Sequence, residues 1–187
     1  MQDNFLQQKK DILSKMDKSS KGDIDKKIIK LCEKINKLNN YYTNSSCAGR
    51  ASLIIDKDEK QEGLFVKRYH NLLNFDELKK DLITISKNKN TIRFKQESGI
   101  LHVSCKTLED AQKLYDKAKL AGWKRSGIIA IQRRFIIELN STEKLEFPII
   151  ENGKILVDDN FLKIIVKKSN ENLKKSWKKI DNLEKSV

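Results

Sequence analysis

Apolar side chains recur at helical spacing along several stretches of the chain, and the second stretch is the most regular. Its apolar residues stand four, seven, eight, eleven and fourteen positions after the first, which predicts a helix with one buried face: Ile24, Ile28, Leu31, Cys32, Ile35 and Leu38. Asp23 stands at the N-cap position, and polar residues 18–22 separate this helix from a first one over 5–16. Three further helices are predicted at 75–85, 108–118 and 158–185.

Short apolar segments bounded by turn residues predict strands between these helices. The predicted strands cover residues 41–43, 51–55, 63–69, 91–96, 100–105, 128–132, 135–140, 147–150 and 154–157. Asn152-Gly153 lies between the last two, and Asn-Gly is typical of the two-residue turn of a hairpin. Residues 44–50 are too polar and small for a core element, so they are predicted to form a loop.

Strands that follow one another through short turns, with helices at irregular intervals, are typical of α+β proteins. The pattern therefore predicts an α+β fold with a largely antiparallel or mixed, strongly curved sheet flanked by helices, and not a Rossmann fold. A chain of 187 residues without a clear internal repeat fits one domain. We expect residues 1–187 to form this single domain, which ends in the helix at 158–185.

The net charge is the first indication of a partner. The chain carries 39 Lys and Arg against 26 Asp and Glu, a formal charge of +13. Such an excess favours a polyanion such as nucleic acid, and charge that merely solvates the surface is the alternative. The sequence has no apolar run of about 18 residues and no signal peptide pattern. We therefore expect a soluble cytoplasmic protein, and a monomer, because no coiled-coil seam is present.

The basic residues are densest at the end of the chain. From Lys163 onwards eight lysines stand against Glu171, Asp181 and Glu184, which makes the last helix a plausible surface for a nucleic-acid backbone. A solvated helix face explains the same pattern. The cations that we assign to RNA contact are Lys124, Arg125, Arg133, Arg134, Lys174 and Lys175.

Cysteine and histidine are too few and too scattered for a metal site or a disulfide framework. The three cysteines, Cys32, Cys47 and Cys105, contain no Cys-x-x-Cys pair. The two histidines, His70 and His102, have no carboxylates clustered around them in the sequence, so we expect no metal. Either histidine could accept a proton near neutral pH, whereas a hydrogen-bonded core residue is the alternative for His102.

Two segments combine small, polar and cationic residues. In Ser45-Ser46-Cys47-Ala48-Gly49-Arg50, small side chains let a ligand approach the backbone, and Arg50 offers a planar fork for carboxylate or phosphate. Residues 122–128, Gly-Trp-Lys-Arg-Ser-Gly-Ile, join a helix to a strand and could face a phosphate. Ordinary polar turns are the alternative for both. Gly-x-Gly-x-x-Gly and Walker loops are absent, which disfavours a Rossmann dinucleotide site and a P-loop.

These segments, in this order, resemble the tRNA wybutosine-synthesizing protein 3 family over nearly the whole chain. Residues 45–50 are similar to the family's Ser-Ser-Cys-x-Gly-Arg signature. Residues 63–70 are similar to its Gly-x-Trp-x4-His pattern, with Phe65 in place of tryptophan and Tyr69 where serine is common. Ile-Leu-His-Val at 100–103 and Ser-Gly-Ile at 126–128 complete the match, while Glu-Ser at 97–98 replaces a Glu-Pro of the family.

The resemblance implies an S-adenosylmethionine-dependent tRNA methyltransferase of wybutosine biosynthesis. Its substrate would be the tricyclic guanosine derivative beside the anticodon of phenylalanine tRNA, methylated on ring nitrogen N4. Archaeal members often consist of this core alone. The residues then assigned to the cofactor, or to a carboxylate of the substrate, are Ser45, Ser46, Cys47, Gly49, Arg50, Ser126 and Gly127. His70 or His102 would take the released proton, with His70 favoured because it ends a predicted strand beside a loop, and Phe65 and Tyr69 would contact the base.

Two alternatives come from other classes of protein. A non-catalytic RNA-binding module would use the same polar segments for phosphates and bases, and would have no use for S-adenosylmethionine. A hydrolase or thiol enzyme would use Cys47 and His70, but no motif pairs a nucleophile with a base.

Overall fold

The computed structural model describes residues 4–16, 25–57, 63–87, 89–131 and 134–187. The predicted N-cap Asp23, the apolar Ile24, the separating segment 18–22 and the predicted RNA contact Arg133 lie outside the described residues.

Helices and strands are interspersed along the described chain. The helices are α1 (Asn4–Met16), α2 (Ile29–Lys37), α3 (Phe75–Ile85), α4 (Leu108–Leu120) and α5 (Asp159–Ser186). The strands are β1 (Tyr41–Cys47), β2 (Arg50–Ile55), β3 (Phe65–Tyr69), β4 (Ile92–Glu97), β5 (Ile100–Cys105), β6 (Gly127–Ala130), β7 (Phe135–Asn140), β8 (Leu145–Glu151) and β9 (Lys154–Ile155).

The chain divides into two compact units, and the first contains a four-stranded sheet. This unit comprises the residues up to Ala48, then Gly99–Thr142 and Ser176–Val187. Its strands lie in the order β1-β5-β7-β6, and every pair is antiparallel. The predicted stripe of α2 is buried from Ile28 to Ile35, whereas Leu38 is exposed, because the helix ends at Lys37 and Leu38 is extended.

Trp123 anchors the core of the first unit. Its ring is fully buried, and its indole Nε1 donates a hydrogen bond to the Lys179 carbonyl at 3.1 Å. The chain enters this position from α4 through Gly122, whose φ of 99° is costly for any residue with a Cβ. The side chain of Lys179 covers Gly122, where an added Cβ would meet it at 3.1 Å.

The second unit contains a five-stranded sheet. It comprises Gly49–Ser98 and Glu143–Lys175, with strands in the order β3-β2-β4-β8-β9, again all antiparallel. Phe94 lies at the centre of its core and stacks on Phe147, with 5.4 Å between the ring centroids. Helix α3 packs on this core with Leu78 and Leu82 buried, and the side chain of Asn74 caps its first turn.

The prediction of an α+β fold with antiparallel strands is confirmed, and the strands divide between two sheets. The turn between β8 and β9 is also the predicted Asn-Gly turn, with φ of 50° at Asn152 and 79° at Gly153. That residues 1–187 form one domain stays a prediction. In the part of the chain described here, no helix is long and apolar enough to cross a membrane.

The prediction of a loop from residue 44 is wrong, because β1 continues to Cys47. These polar residues pair with β5, so hydrogen bonds across the sheet, and not apolar side chains, make this segment a strand. One irregularity interrupts the pairing. Thr43 lies opposite Val103 and Ser45 lies opposite His102, so Asn44 is the extra residue of a β-bulge.

The close contact between the turn at Gly153 and the Ser86 carbonyl can be tested by substitution. We expect Gly153→Ala to destabilise the protein more than Gly63→Ala. Both residues have positive φ, which costs a non-glycine residue about 1–2 kcal/mol. At Gly153 the added Cβ would also lie 2.9 Å from the Ser86 carbonyl oxygen, whereas it would meet nothing within 4 Å at Gly63. Urea unfolding of both variants measures the difference, and equal losses would contradict the described turn.

Candidate active site

A row of hydrogen-bonded polar side chains crosses the sheet of the first unit. Ser45 Oγ lies 2.8 Å from His102 Nδ1, and His102 Nε2 lies 2.8 Å from Glu138 Oε2. The three residues stand opposite one another on β1, β5 and β7. The side chains of His102 and Glu138 are 28% and 30% exposed, and Ser45 is exposed. The row is therefore accessible to a ligand.

The alternation of the strands places this row on the face away from the core. Leu101 and Val103 flank His102, and Ile137 and Leu139 flank Glu138, and all four belong to the core. Because successive strand residues point to opposite faces, the histidine and the carboxylate lie on the other face.

The bulge at Asn44 determines which side chain of β1 meets the histidine. Continuing the pairing of Thr43 with Val103 without a bulge would place Asn44, not Ser45, opposite His102. The side chain of Asn36 holds the strand on one side of the bulge, accepting from the Thr43 N–H at 2.8 Å. The side chain of Asn44 is itself held by Ser104, with Nδ2 donating to Oγ at 3.0 Å.

The chemistry of the row assigns a direction to each hydrogen bond. A carboxylate only accepts, so His102 Nε2 carries the proton that is shared with Glu138. In a neutral imidazole Nδ1 is then the acceptor, and the Ser45 hydroxyl donates to it. The hydroxyl keeps lone pairs for a further donor.

Open space lies beside the carboxylate end of the row. Gly127 on the edge strand β6 stands opposite Glu138, and a Cβ added to it would meet nothing within 4 Å. Its neighbour Ser126 has a structural role in the turn before β6. Ser126 Oγ donates to the Trp123 carbonyl at 2.7 Å and accepts from the Asn140 N–H at 3.2 Å.

The residues that follow Ser45 are tied to helix α2 and to the segment before it. Ser46 hydrogen-bonds to the Cys32 thiol, and the Cys47 thiol and the Ala48 N–H both contact Asp25 Oδ2, at 3.8 and 3.1 Å. Burial raises the pKa of Cys32 to about 11, and burial with the charge of Asp110 raises the pKa of Cys105 to about 12. Both thiols are therefore protonated at neutral pH and unsuited to nucleophilic attack.

In the second unit, Arg50 belongs to a cluster of cations around an aromatic ring. The Cζ atoms of Arg50 and Arg68 lie 5.1 and 4.2 Å from the centroid of the Phe65 ring, within the range of cation–π contact. Glu97 contacts Arg50 Nε at 3.3 Å through Oε2 and Lys95 Nζ at 3.2 Å through Oε1. Arg50 and Lys95 thus share a single carboxylate, and Arg68 adds a third cation at the Phe65 ring. Because Arg50 is also 27% exposed, the cluster suits an anionic ligand.

Tyr69 lies in the core of the second unit. It is 6% exposed, and its hydroxyl donates to Asp81 Oδ2 at 2.7 Å. Burial, together with the bond and charge of Asp81, raises its pKa far above the usual range. Phe65 is therefore the more accessible of the two aromatic residues assigned to the substrate, and His70 is exposed just after β3.

The predicted RNA-contacting cations differ in accessibility. Lys124, Arg125, Lys174 and Lys175 are exposed. Arg134 is only partly exposed, and its Nη1 donates to the buried Tyr42 hydroxyl at 3.1 Å, which is a structural contact.

Two residues of these clusters, Glu138 and Arg68, were not predicted from the sequence. Glu138 stands between two buried residues of β7, which indicates an outward position, but nothing local in the sequence indicates its partner. Arg68 lies inside the Gly-x-Trp-x4-His pattern without matching a defined position of it. Within the described ranges, no three His, Cys, Asp or Glu side chains are grouped so that they could hold a metal ion.

Comparison with known proteins provides relatives that match most of the chain. A protein from Thermococcus sibiricus is 36% identical over 98% of this chain and 94% of its own length. One from Methanocaldococcus jannaschii is 37% identical over 92% of this chain and 91% of its own. Both are named tRNA(Phe) 7-((3-amino-3-carboxypropyl)-4-demethylwyosine(37)-N(4))-methyltransferase. The human tRNA wybutosine-synthesizing protein 3 homolog is 30% identical over 95% of this chain and 70% of its own.

Solved structures and a family model agree with these relatives. The PH1069 protein of Pyrococcus horikoshii superposes with a TM-score of 0.88 at 34% identity, over 97% of this chain and 93% of that one. A hypothetical protein from Aeropyrum pernix superposes with a TM-score of 0.73 at 26% identity, over 84% of this chain and 93% of that one. The family model described as Methyltransferase TYW3 matches residues 7–187. The predicted resemblance is confirmed, and this chain belongs to the TYW3 methyltransferase family.

Proposed function

We propose that the protein methylates N4 of 7-(3-amino-3-carboxypropyl)-4-demethylwyosine at position 37 of tRNA(Phe), the reaction named for its relatives. The observation that carries the proposal for this chain is the accessible row Ser45–His102–Glu138, which offers a proton acceptor. Methyl transfer to a nitrogen that bears a proton needs that acceptor, together with positioning of the two reactants.

We propose S-adenosylmethionine as the methyl donor that the family requires. Its sulfonium supplies an electrophilic methyl group. The donor ends in an α-amino acid, and the accessible guanidinium of Arg50 fits its carboxylate, because arginine binds carboxylates through two parallel hydrogen bonds. The substrate base carries a 3-amino-3-carboxypropyl group on a carbon atom, and the donor carries the same group on its sulfur atom. Arg50 is therefore suited to either partner, and binding measurements separate the two.

His102 is the proton acceptor in this proposal. Its ring is hydrogen-bonded at both nitrogens and is partly exposed, so its orientation is defined while a ligand can still reach the row. His70, exposed after β3, is the alternative. A substitution of either histidine that lowers the methylation rate without weakening the binding of donor or tRNA identifies the acceptor.

The tRNA would bind through its backbone and through the modified base. A tricyclic base that has left its stack needs an aromatic partner, and Phe65 offers one between two guanidinium groups. The exposed Lys124, Arg125, Lys174 and Lys175 would contact the phosphates of the anticodon arm. A tRNA substrate also fits the cytoplasmic location that we expect.

Methyl transfer itself is the first test. Labelled S-adenosylmethionine and tRNA(Phe) from cells blocked at the step before this methylation should give a base that is heavier by one methyl group. Nucleoside mass spectrometry measures the product, and fully modified tRNA(Phe) is the control that should accept no label. Donor binding without transfer would contradict the substrate, and the absence of both would favour the RNA-binding module.

Substitution of Arg50 tests the carboxylate site. We expect Arg50→Ala to weaken the binding of the partner whose carboxylate it holds by about 10- to 100-fold, the value of a charge-assisted hydrogen bond. Arg50→Lys should recover only part of this loss, because lysine lacks the planar fork. Calorimetric titration measures the binding of S-adenosylmethionine, and the KM reports on tRNA. The constant that changes identifies the partner whose carboxylate Arg50 holds.

Arg93 supplies the matched control for Arg50. It lies on β4 of the same sheet and pairs with Asp56 and Glu146. Arg93→Ala removes the same charge and should change neither the dissociation constant of S-adenosylmethionine nor the KM for tRNA. Normal binding of both partners by Arg50→Ala would exclude the carboxylate site.

The lysines of α5 are tested by salt dependence. We expect Lys174→Gln with Lys175→Gln to weaken tRNA binding and to lower the slope of log K against log salt by about 1–2, since each phosphate contact contributes nearly one. The control is Lys113→Gln with Lys117→Gln on α4, which removes two exposed lysines to which we assign no contact with tRNA. An equal change of slope in both double variants would show a general effect of net charge.

A further inference from the structure

We propose that Ser45 and Glu138 form a proton relay with His102, in which the serine hydroxyl, not the imidazole, meets the nitrogen that is methylated. The proposal rests on the proposed function. It assigns a role to Glu138, which lies outside every sequence motif, and it gives Ser45 a catalytic role in place of cofactor binding.

Both ring nitrogens of His102 are occupied. Nε2 bonds to Glu138 and Nδ1 bonds to Ser45, each at 2.8 Å. An imidazole held at both edges cannot accept a proton directly from a ligand without breaking one of these bonds. The Ser45 hydroxyl can, because it donates one hydrogen to Nδ1 and keeps lone pairs to accept another. Ser45 is also the exposed end of the row.

The transfer is balanced within these groups and the two reactants. As the lone pair of the ring nitrogen forms the N–C bond to the methyl group, the C–S bond breaks and its electrons remain on sulfur. The proton of that nitrogen passes to Ser45 Oγ, and the hydroxyl proton of Ser45 passes to His102 Nδ1. The resulting imidazolium returns its proton to water, which reaches the partly exposed ring.

Glu138 is a positioning residue in this relay. By accepting from Nε2–H it leaves Nδ1 as the basic nitrogen that faces Ser45, and its charge stabilises the imidazolium after transfer. Gly127 opposite Glu138 leaves the carboxylate end of the row open. The other titratable groups described on β1 and β5 are engaged elsewhere. Tyr41 donates to the Asp110 carbonyl, Tyr42 accepts from Arg134, Cys47 contacts Asp25, and Cys105 is buried in the core.

The serine is tested by comparing two variants under single-turnover conditions with saturating donor and tRNA. We expect Ser45→Ala to lower the methylation rate by about 100-fold, the lower end of general acid–base contributions. Ser45→Thr, which keeps the hydroxyl, should recover most of the rate. The dissociation constants of tRNA and S-adenosylmethionine should stay within about two-fold in both variants.

Ser104 supplies the control for damage to the sheet. It is on β5, two residues from His102, and its hydroxyl bonds to Asn44. Ser104→Ala removes the hydroxyl that contacts Asn44 and should lower the methylation rate far less than Ser45→Ala, because Asn36 still holds β1 at Thr43. Equal losses in Ser45→Ala and Ser104→Ala would assign the effect to β1 pairing and overturn the relay.

The carboxylate is tested by combining it with the serine variant. Glu138→Gln removes the charge beside Nε2 and should lower the methylation rate by about 10-fold in the wild-type background. In the Ser45→Ala background the relay is already broken, so the same substitution should lower the rate by no more than about two-fold. Equal losses in the two backgrounds would overturn the role of Glu138.

A measurement without turnover completes the test. The chain has only two histidines, so ¹⁵N spectra can resolve both rings. We expect one ring of the wild type to carry its proton on Nε2, and Glu138→Ala to mix the two tautomers of that ring alone. A wild type that transfers no methyl group would overturn the proposed function and the relay together. An active wild type matched in rate by Ser45→Ala would overturn the relay alone.

Discussion

The one-residue bulge in β1 determines the register on which the candidate active site depends. Strand residues alternate between the core and the opposite face, so a single extra residue decides which side chain stands opposite His102. Here the extra residue is Asn44, and it brings a hydroxyl to the imidazole. The side chains of Asn36 and Ser104 hold the bulge in place. Asparagines with no proposed contact to a ligand thus define the geometry of the groups that would react.

Local patterns in the sequence were sufficient for most elements and for the family. The spacing of apolar residues predicted α3 and α4, and Asn152-Gly153 predicted the turn of its hairpin, because these features depend on neighbours a few residues apart. The ordered motifs identified the family because each is short and carries several specific residues. Arg50 and His102 were found in this way, as residue types with a defined chemistry.

Non-local pairing explains what the sequence did not reveal. The order β1-β5-β7-β6 joins strands that are distant along the chain, so the division into two sheets is not visible in any single segment. In the sequence, Glu138 is only a polar residue of an alternating strand. The pairing of β7 with β5 is what brings it to His102. The bulge was missed for a related reason: residues 44–47 are polar, and only their pairing with β5 makes them a strand.

The separation of the paired residues has a consequence for the order of folding. Ser45 and His102 are 57 positions apart, and His102 and Glu138 are 36 apart. Pairing β1 with β5 must close a long loop that includes Gly49–Ser98, which belongs to the other unit, and such closure is slow compared with helix formation. The helices of a refolding chain therefore form before its active site. Recovery of activity would then follow the closure of this sheet, whereas recovery of helical signal would precede it.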